Sequence, residues 1–318
     1  MADSRYRYLK RWVSSSDEDL LRKAGLLDPS RFHSLKPINR HIAELLVKLP
    51  TLKVFQFHDV KPDRPSLSLL NEIVFRNRKD ITLRVFDHRD SWADISFLED
   101  LSQVERFDWD TTVFGSTEPL HRLKKLVHLG LGMGQPKPKI SLNFVTDFCE
   151  TLESLSIDGD YKDTLSVIPK LRKLKSVWFV STKLEGFEFL EGLGIETIGN
   201  YGGRVGSFEF LRTLGSLKRV WIKTNATLEN IDFIEDLSKL ERLELFYVAK
   251  LTRFPKCEHL KKLNLIFAFE CNRIVDITEI KKLEGVQIRI SGKALKGRQY
   301  STPDFSMARA LDAGGRYL

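Results

Sequence analysis

The chain has 318 residues, 42% of them apolar and 30% charged, with a net charge of +8. That is the composition of a core-forming globular chain, enough for two domains or one elongated one. No apolar run approaches the roughly 20 residues of a membrane-spanning helix. Cys149, Cys257 and Cys271 are too few and too scattered for a disulfide framework or a CxxC zinc site, so they are expected as buried, inert thiols in a reducing compartment. The basic balance admits nucleic acid or an acidic protein as a partner without selecting either.

The opening stretch, MADSRYRYLKRWVSSSDEDL, has basic residues but no apolar run behind them, and does not read as a secretory signal. Residues 1–50 are expected to form a helical N-terminal cap. Ser16 with Asp19 three residues on would cap a helix over DLLRKAGLL, and a second apolar run, IAELLVKLP at 42–50, ends at Pro50. From 51 to 290 one frame recurs, Leu-x-x-Leu-x-Leu. It begins at Leu52, Phe55, Phe57, passes a degenerate copy at Leu83 and Val85, and continues through Val104, Phe107, Trp109 and Leu126, Leu129, Leu131. Leu152, Leu155, Ile157; Leu174, Val177, Phe179; Ile195, Ile198; and Leu217, Val220, Ile222 follow. Leu240, Leu243, Leu245; Leu260, Leu263, Leu265; and Leu283, Val286, Ile288 close about ten to eleven units. A second signature follows many strands: SFLEDL at 96–101, FEFLEGL at 187–193, FEFLRTL at 208–214 and DFIEDL at 232–237. Its spacing puts apolar residues on one side of a short helical turn. One such unit cannot bury its own apolar side, so neighbours must stack. Beyond residue 291 the register vanishes, and 291–318 is expected as an irregular C-terminal cap or tail.

This frame and its return segments resemble the leucine-rich-repeat family, in particular its internalin-like bacterial branch, over roughly residues 50–290. The resemblance implies an α/β leucine-rich-repeat solenoid: a curved horseshoe with a parallel β-sheet on the concave face and short helices or turns on the convex face. It also implies a bacterial protein that recognises other proteins and is not an enzyme; the want of a signal and the scarce cysteines point to an intracellular one. One departure stands out. The family places Asn or Cys in the turn after the strand. Asn225 fits, but the equivalent positions are assigned to Thr112, Gly134, Asp160, Thr182, Gly203, Val248 and Ala268, so the asparagine ladder is mostly absent.

Successive side chains of a strand point to opposite faces, so residues between the frame leucines line the concave sheet. Trp178 in LKSVWF and Trp221 in LKRVWI occupy the same outward position two strands apart, with Gly199 between. At about 4.8 Å per strand the indoles are expected roughly 10 Å apart across a glycine floor, as an open slot that an arginine at Gly199 would block without unfolding the chain. Val180, Tyr201, Lys223 and Phe246 lie two residues further along. An exposed aromatic cluster of this kind marks a docking surface. The charges are expected to divide: Asp108, Asp110 and Asp158 towards the N-terminal side, beside Gly130 and Gly132, and Arg219, Lys223, Arg242, Lys262 and Arg289 towards the C-terminal side. A sign-alternating column, Glu153, Lys175, Glu196, Lys218, Glu241, Lys261, Glu284, belongs to strand register and solubility.

Signals for chemistry are weak. GLGMGQPKPK at 130–139 lacks the GK[ST] ending of a phosphate loop, and YGGRVG at 201–206 reads as a repeat turn. None of the seven histidines forms a ligand pair. His58 and His128 with Asp108 could meet on the concave face, but no motif marks a nucleophile. No cofactor and no metal are expected. The sequence therefore points to non-enzymatic protein recognition in the cytoplasm, in its most concrete form an immunity protein neutralising a cognate toxin. The alternatives are a nucleic-acid binder using the basic and aromatic half of the face, and a host-directed effector.

Overall fold

The computed structural model describes residues 17–23, 26–28, 30–34, 37–57, 62–87, 94–111, 114–132, 140–295 and 299–303. They fall into two compact units, residues 1–154 and 155–318. In the first unit, α1 (Asp17–Lys23) precedes a short antiparallel pair, β1 (Leu27–Asp28) and β2 (Arg31–His33). Ser16, the expected cap of that helix, lies outside the described residues. The second apolar run forms α2 (Arg40–Lys48). Asn39 caps it by accepting a hydrogen bond from the Ile42 amide at 2.9 Å, and Ile42, Ala43, Leu45 and Leu46 form its buried face.

Strand β2 runs parallel to β3 (Val54–Phe57), and β3 to β4 (Thr82–Asp87), β4 to β5 (Arg106–Thr111) and β5 to β6 (His128–Gly132). The degenerate copy at Leu83 and Val85 forms β4, and the return that leads into it from β3 is longer than its neighbours. Capped by Asp63, α3 (Arg64–Leu69) continues into a π-helical stretch, Leu70–Phe75, that buries Leu70, Val74 and Phe75. The frame residues Phe55, Phe57, Leu83, Val85, Phe107, Trp109, Leu129 and Leu131 all point into the core.

The second unit takes up β7 (Ser154–Asp158) after its first residue. It continues with β8 (Ser176–Val180), a two-residue side ladder of β9 (Lys183–Leu184) with β11 (Arg204–Val205), β10 (Thr197–Tyr201), β12 (Arg219–Lys223), β13 (Arg242–Phe246), β14 (Leu265–Phe269) and β15 (Gln287–Ser291). From β8 onward the main strands pair in parallel without slippage, and β16 (Gln299–Ser301) closes on β15 antiparallel. All four return signatures form 3₁₀ turns, burying Leu98, Leu190, Leu211 and Ile234. Both units follow the leucine-rich-repeat solenoid plan: strand, turn, short return, next strand alongside.

The frame holds through Leu245 and then slips. Leu243 pairs with Ile266 and not with Leu263, and Ile266 with Ile288. The inward residues of the last two strands are therefore Ile266, Ala268, Ile288 and Ile290, while Leu265 faces outward beside Arg242. LKKLNL at 260–265 imitates the frame, but the strand begins at its last residue.

The turns of the second unit are regular without an asparagine ladder. Each main-sheet strand from β7 to β14 is followed directly by a left-handed residue: Gly159, Ser181, Gly202, Thr224, Tyr247 or Glu270. Such a backbone costs a non-glycine residue about 1–2 kcal/mol, so something must hold it. The next side chain in several units does. Thr182 donates to the Val180 and Gly159 carbonyls, Asn225 accepts from the Thr227 and Leu228 amides, and Asp160 accepts from the Lys183 amide. Gly203 has φ +68°, and a Cβ there would run into the Thr182 carbonyl oxygen. The slipped frame corrects one member of this series. The position given to Ala268 belongs to Cys271, whose buried thiol is pushed up to about 11 by desolvation. Thr112 and Gly134 lie outside the described residues.

Candidate functional site

The outward positions of the second unit form three rows across the strands. One runs Ser176, Thr197, Arg219, Arg242, Leu265, Gln287, and the middle row runs Trp178, Gly199, Trp221, Glu244, Phe267, Arg289. The third runs Val180, Tyr201, Lys223, Phe246, Phe269. A bond from the Gly159 amide to the Val180 carbonyl sets Asp158 beside it. Trp178, Gly199 and Trp221 are thus aligned, as are Tyr201, Lys223 and Phe246, in the register expected from the sequence.

The slot is not open. The ring centroids of Trp178 and Trp221 lie 5.3 Å apart, about half the expected separation, because Trp178 folds down onto Gly199. A Cβ at Gly199 would fall on the six-membered ring of that indole. Glycine here is not an exposed floor but the room Trp178 occupies, so an arginine would displace the ring. Trp178 is anchored by its Nε1–H, which donates to Ser176 Oγ at 3.0 Å. Trp221 is left only 8% exposed. From Trp221 the ring contacts continue to Tyr201 at 6.4 Å and Phe246 at 5.5 Å, then from Phe246 to Phe267 at 5.3 Å and Phe269 beyond. Tyr247, 46% exposed in its left-handed turn, packs edge-on against Phe269. The result is a continuous aromatic ridge with Trp178, Tyr201, Phe246 and Phe269 half-buried along it. Sequence reasoning missed Leu265, Phe267 and Phe269. LIFAF has no polar residue to reveal which side faces out, and the decoy leucines upstream absorbed the frame.

The charges are woven into the ridge. Glu244, 1% exposed, is held by Arg219 at 2.5 Å and Arg242 at 3.3 Å. The Arg219 guanidinium also stands over the Trp178 ring at 5.6 Å, and the Lys223 ammonium over Tyr201 at 4.3 Å. Arg289 lies in the middle row, but Lys262 is in a turn outside the strands and leaves the set. The alternating column holds from Lys175 through Glu196 and Lys218 to Glu241, with Lys218 and Glu196 paired at 2.8 Å; the next position is Asn264, and Lys261 and Glu284 lie off it.

The first unit does not carry the acidic patch expected of it. Asp108 and Asp110 do face outward, over Gly130 and Gly132, but they are interleaved with Arg31, Arg84 and Arg106. Arg84 pairs with Asp110 and bonds Gln56. The Arg31 guanidinium has its pKa lowered by burial and by Arg84, against the opposing pull of Asp108 and Asp110. The expected meeting of His128 with Asp108 occurs, at 2.9 Å, and the other ring nitrogen of His128 meets Ser154 Oγ at 2.9 Å. The order is Asp–His–Ser, yet His128 is 2% exposed, and the neighbouring amides of Glu153 and Ser154 are consumed by the Val127 carbonyl, leaving no pair of donors to cradle an oxyanion. The relay therefore satisfies buried polar groups. His58 and His88 lie outside the described residues, as do 133–139 of the glycine-rich stretch. Gly202 and Gly203 form a repeat turn as expected. Among the described residues no group of three His, Cys, Asp or Glu side chains could hold a metal ion, and no helix is long and apolar enough to cross a membrane.

A stack of in-register parallel strands with buried frame leucines and 3₁₀ returns is a leucine-rich-repeat solenoid. Among solved structures, the chain is similar to an internalin (inlF) from Listeria monocytogenes, at 17% identity and TM-score 0.44, covering 90% of this chain and 93% of that one. It is similar also to a leucine-rich-repeat protein from Leptospira interrogans, at 16% identity and TM-score 0.43, covering 82% and 70%. A third is internalin C2 (inlC2) from Listeria monocytogenes, at 14% identity and TM-score 0.33, covering 79% and 91%. No protein-family model and no curated protein matches the chain.

Proposed function

We propose that this protein is a non-enzymatic recognition module that docks another protein on the outward sheet face of its second unit. The observation that carries the reading is the aromatic ridge from Trp178 to Phe269, contiguous over the strands from β8 to β14, with Trp178, Tyr201, Phe246 and Phe269 half-buried along it. Aromatic side chains held in place by their neighbours supply large contact area at little conformational cost, and they dominate interface energies. Trp178, Tyr201, Trp221 and Phe246 are the anchors. Arg219, Lys223, Arg242 and Asp158 at the margin fix orientation. Asp108 and Asp110, engaged by His128 and Arg84 within the first unit, are left out of the anchor set. In its most specific form the partner is a toxin and the protein a cytoplasmic immunity protein.

The partner is recovered by affinity purification from native cells and its affinity measured in pure form. Trp178→Ala with Phe246→Ala is expected to weaken it by about 30-fold or more, which corresponds to about 2 kcal/mol. Unchanged affinity in a folded double variant removes the ridge as the docking surface. The toxin form is tested by co-expression with the product of the adjoining gene: rescue of growth supports it, and continued toxicity refutes it.

A further inference from the structure

The charges that frame the ridge select among protein partners. Over the outward positions from β7 to β15 four cations, Arg219, Lys223, Arg242 and Arg289, stand against two carboxylates, Asp158 and Glu244, a net of +2. Their depths differ. Glu244 lies beneath the surface and ties down Arg219 and Arg242, whose side chains are only 12% and 17% exposed, whereas Lys223 and Arg289, outside that cluster, are half-buried. A partner therefore meets apolar rings edged by guanidinium and ammonium groups. Lys223 and Arg219 already occupy the cation-binding positions over Tyr201 and Trp178, so a cationic ligand would be repelled where rings could otherwise cage it.

Single-stranded nucleic acid fits less well. Stacking needs an open ring face, but the two indoles lean together at 5.3 Å and 57°, closing the gap a base would enter. From these observations we infer that the segment docked on the ridge is acidic and apolar: an extended polypeptide whose carboxylates meet Lys223, Arg219, Arg242 and Arg289 while its apolar side chains rest on Trp178, Phe246 and Phe269. Six strands at about 4.8 Å make a track of roughly 24 Å, the reach of about seven extended residues. This inference rests on the reading of the ridge as a protein-docking surface.

The test uses the full chain and three fluorescent peptides of about 12 residues, with leucine at the same positions and Glu, Gln or Lys at the rest, beside an oligo-dT of similar length, followed by anisotropy. The Glu peptide is expected to bind at least tenfold tighter than the Gln peptide, and the Lys peptide weakest. High salt should erase the difference. Lys223→Glu with Arg289→Glu should abolish the preference for the Glu peptide over the Gln peptide. Equal affinity for the three peptides, tighter binding of oligo-dT, or no binding of the Glu peptide at millimolar concentration overturns the inference. The two readings fail separately. If all peptides bind alike and Trp178→Ala with Phe246→Ala weakens every one, the ridge stands and the acidic specificity falls. If that double variant leaves Glu-peptide binding intact, the ridge itself is wrong.

Discussion

In the first unit the outward side chains of β4, β5 and β6 engage one another: Arg84 with Asp110 and Gln56, Asp108 with His128, His128 with Ser154. The outward phenyl ring among those strands, Phe86, is half-buried with the Arg84 guanidinium 4.6 Å from its centroid. In the second unit the same rows carry rings that pack on one another in a continuous series, with Trp178, Tyr201, Phe246 and Phe269 left half-buried and one carboxylate group, Glu244, tying two arginines below them. The same backbone plan thus supports two kinds of face. A polar mesh that satisfies itself gains little from a partner, because every polar group already has company and would have to be desolvated. A ridge of apolar rings has area left to bury, at about 25 cal/mol per Å².

The strongest way to break this contrast is to remove the carboxylate under the ridge. Glu244→Ala leaves two buried arginine groups facing one another without their shared anion, and removing one partner of a buried pair costs about 3–5 kcal/mol. The expected outcome is a clear loss of stability in urea unfolding together with a shift of tryptophan emission, since Arg219 also stands over Trp178. Asp110→Ala, at the more exposed pair of the first unit, is expected to cost less and to leave the emission unchanged. Equal costs would mean that the two faces are built alike.

Next in size is the glycine beneath each face. Gly199 makes room for the Trp178 indole and Gly130 for the Asp108 carboxylate. An added methyl displaces a wedged ring in one case and a side chain hydrogen-bonded to His128 in the other. Overpacking of this kind costs about 1–3 kcal/mol. Gly199→Ala should lower stability and partner affinity together, while Gly130→Ala should lower stability alone. Calorimetric melting and titration with the partner separate the two. Partner affinity unaffected by Gly199→Ala would detach the Trp178 pose from recognition.

Much of this was readable before any coordinates. The Leu-x-x-Leu-x-Leu frame runs from Leu126 to Leu245, and wherever it holds the strands and their outward partners fall where the period of two puts them. The alignment of Trp178, Gly199 and Trp221 follows from it. Legibility ends where alternation ends. LIFAF is apolar on both faces, so Phe267 and Phe269 could not be told from core residues. Rotamers were not legible either: strand spacing gives the distance between Cβ atoms, not the lean of an indole onto a glycine. Nor does a period report pairing, which is why Asp110 read as a patch when Arg84 neutralises it.

The smallest effect sets the bonded polar groups on the face of the first unit against one buried amide inside the second. Buried polar groups of the first unit are bonded: Gln56 accepts from Arg84, and His128 links Asp108 to Ser154. In the second unit Asn200, 1% exposed and paired in register with Phe179 and Ile222 on the inward side, has no hydrogen-bond partner for either amide atom among the described residues. Replacing a buried, unsatisfied amide with a hydrocarbon of similar size removes a desolvation penalty of about 1–3 kcal/mol and restores the repeat frame. Asn200→Leu is therefore expected to stabilise the protein by about 1 kcal/mol once imperfect packing is allowed for, raising the urea midpoint at an unchanged slope. Gln56→Leu, which strips a bonded group from the first unit, should lower it. If Asn200→Leu also lowers the midpoint, the amide is engaged by a group inside the second unit, and its contrast with the bonded polar groups of the first unit disappears.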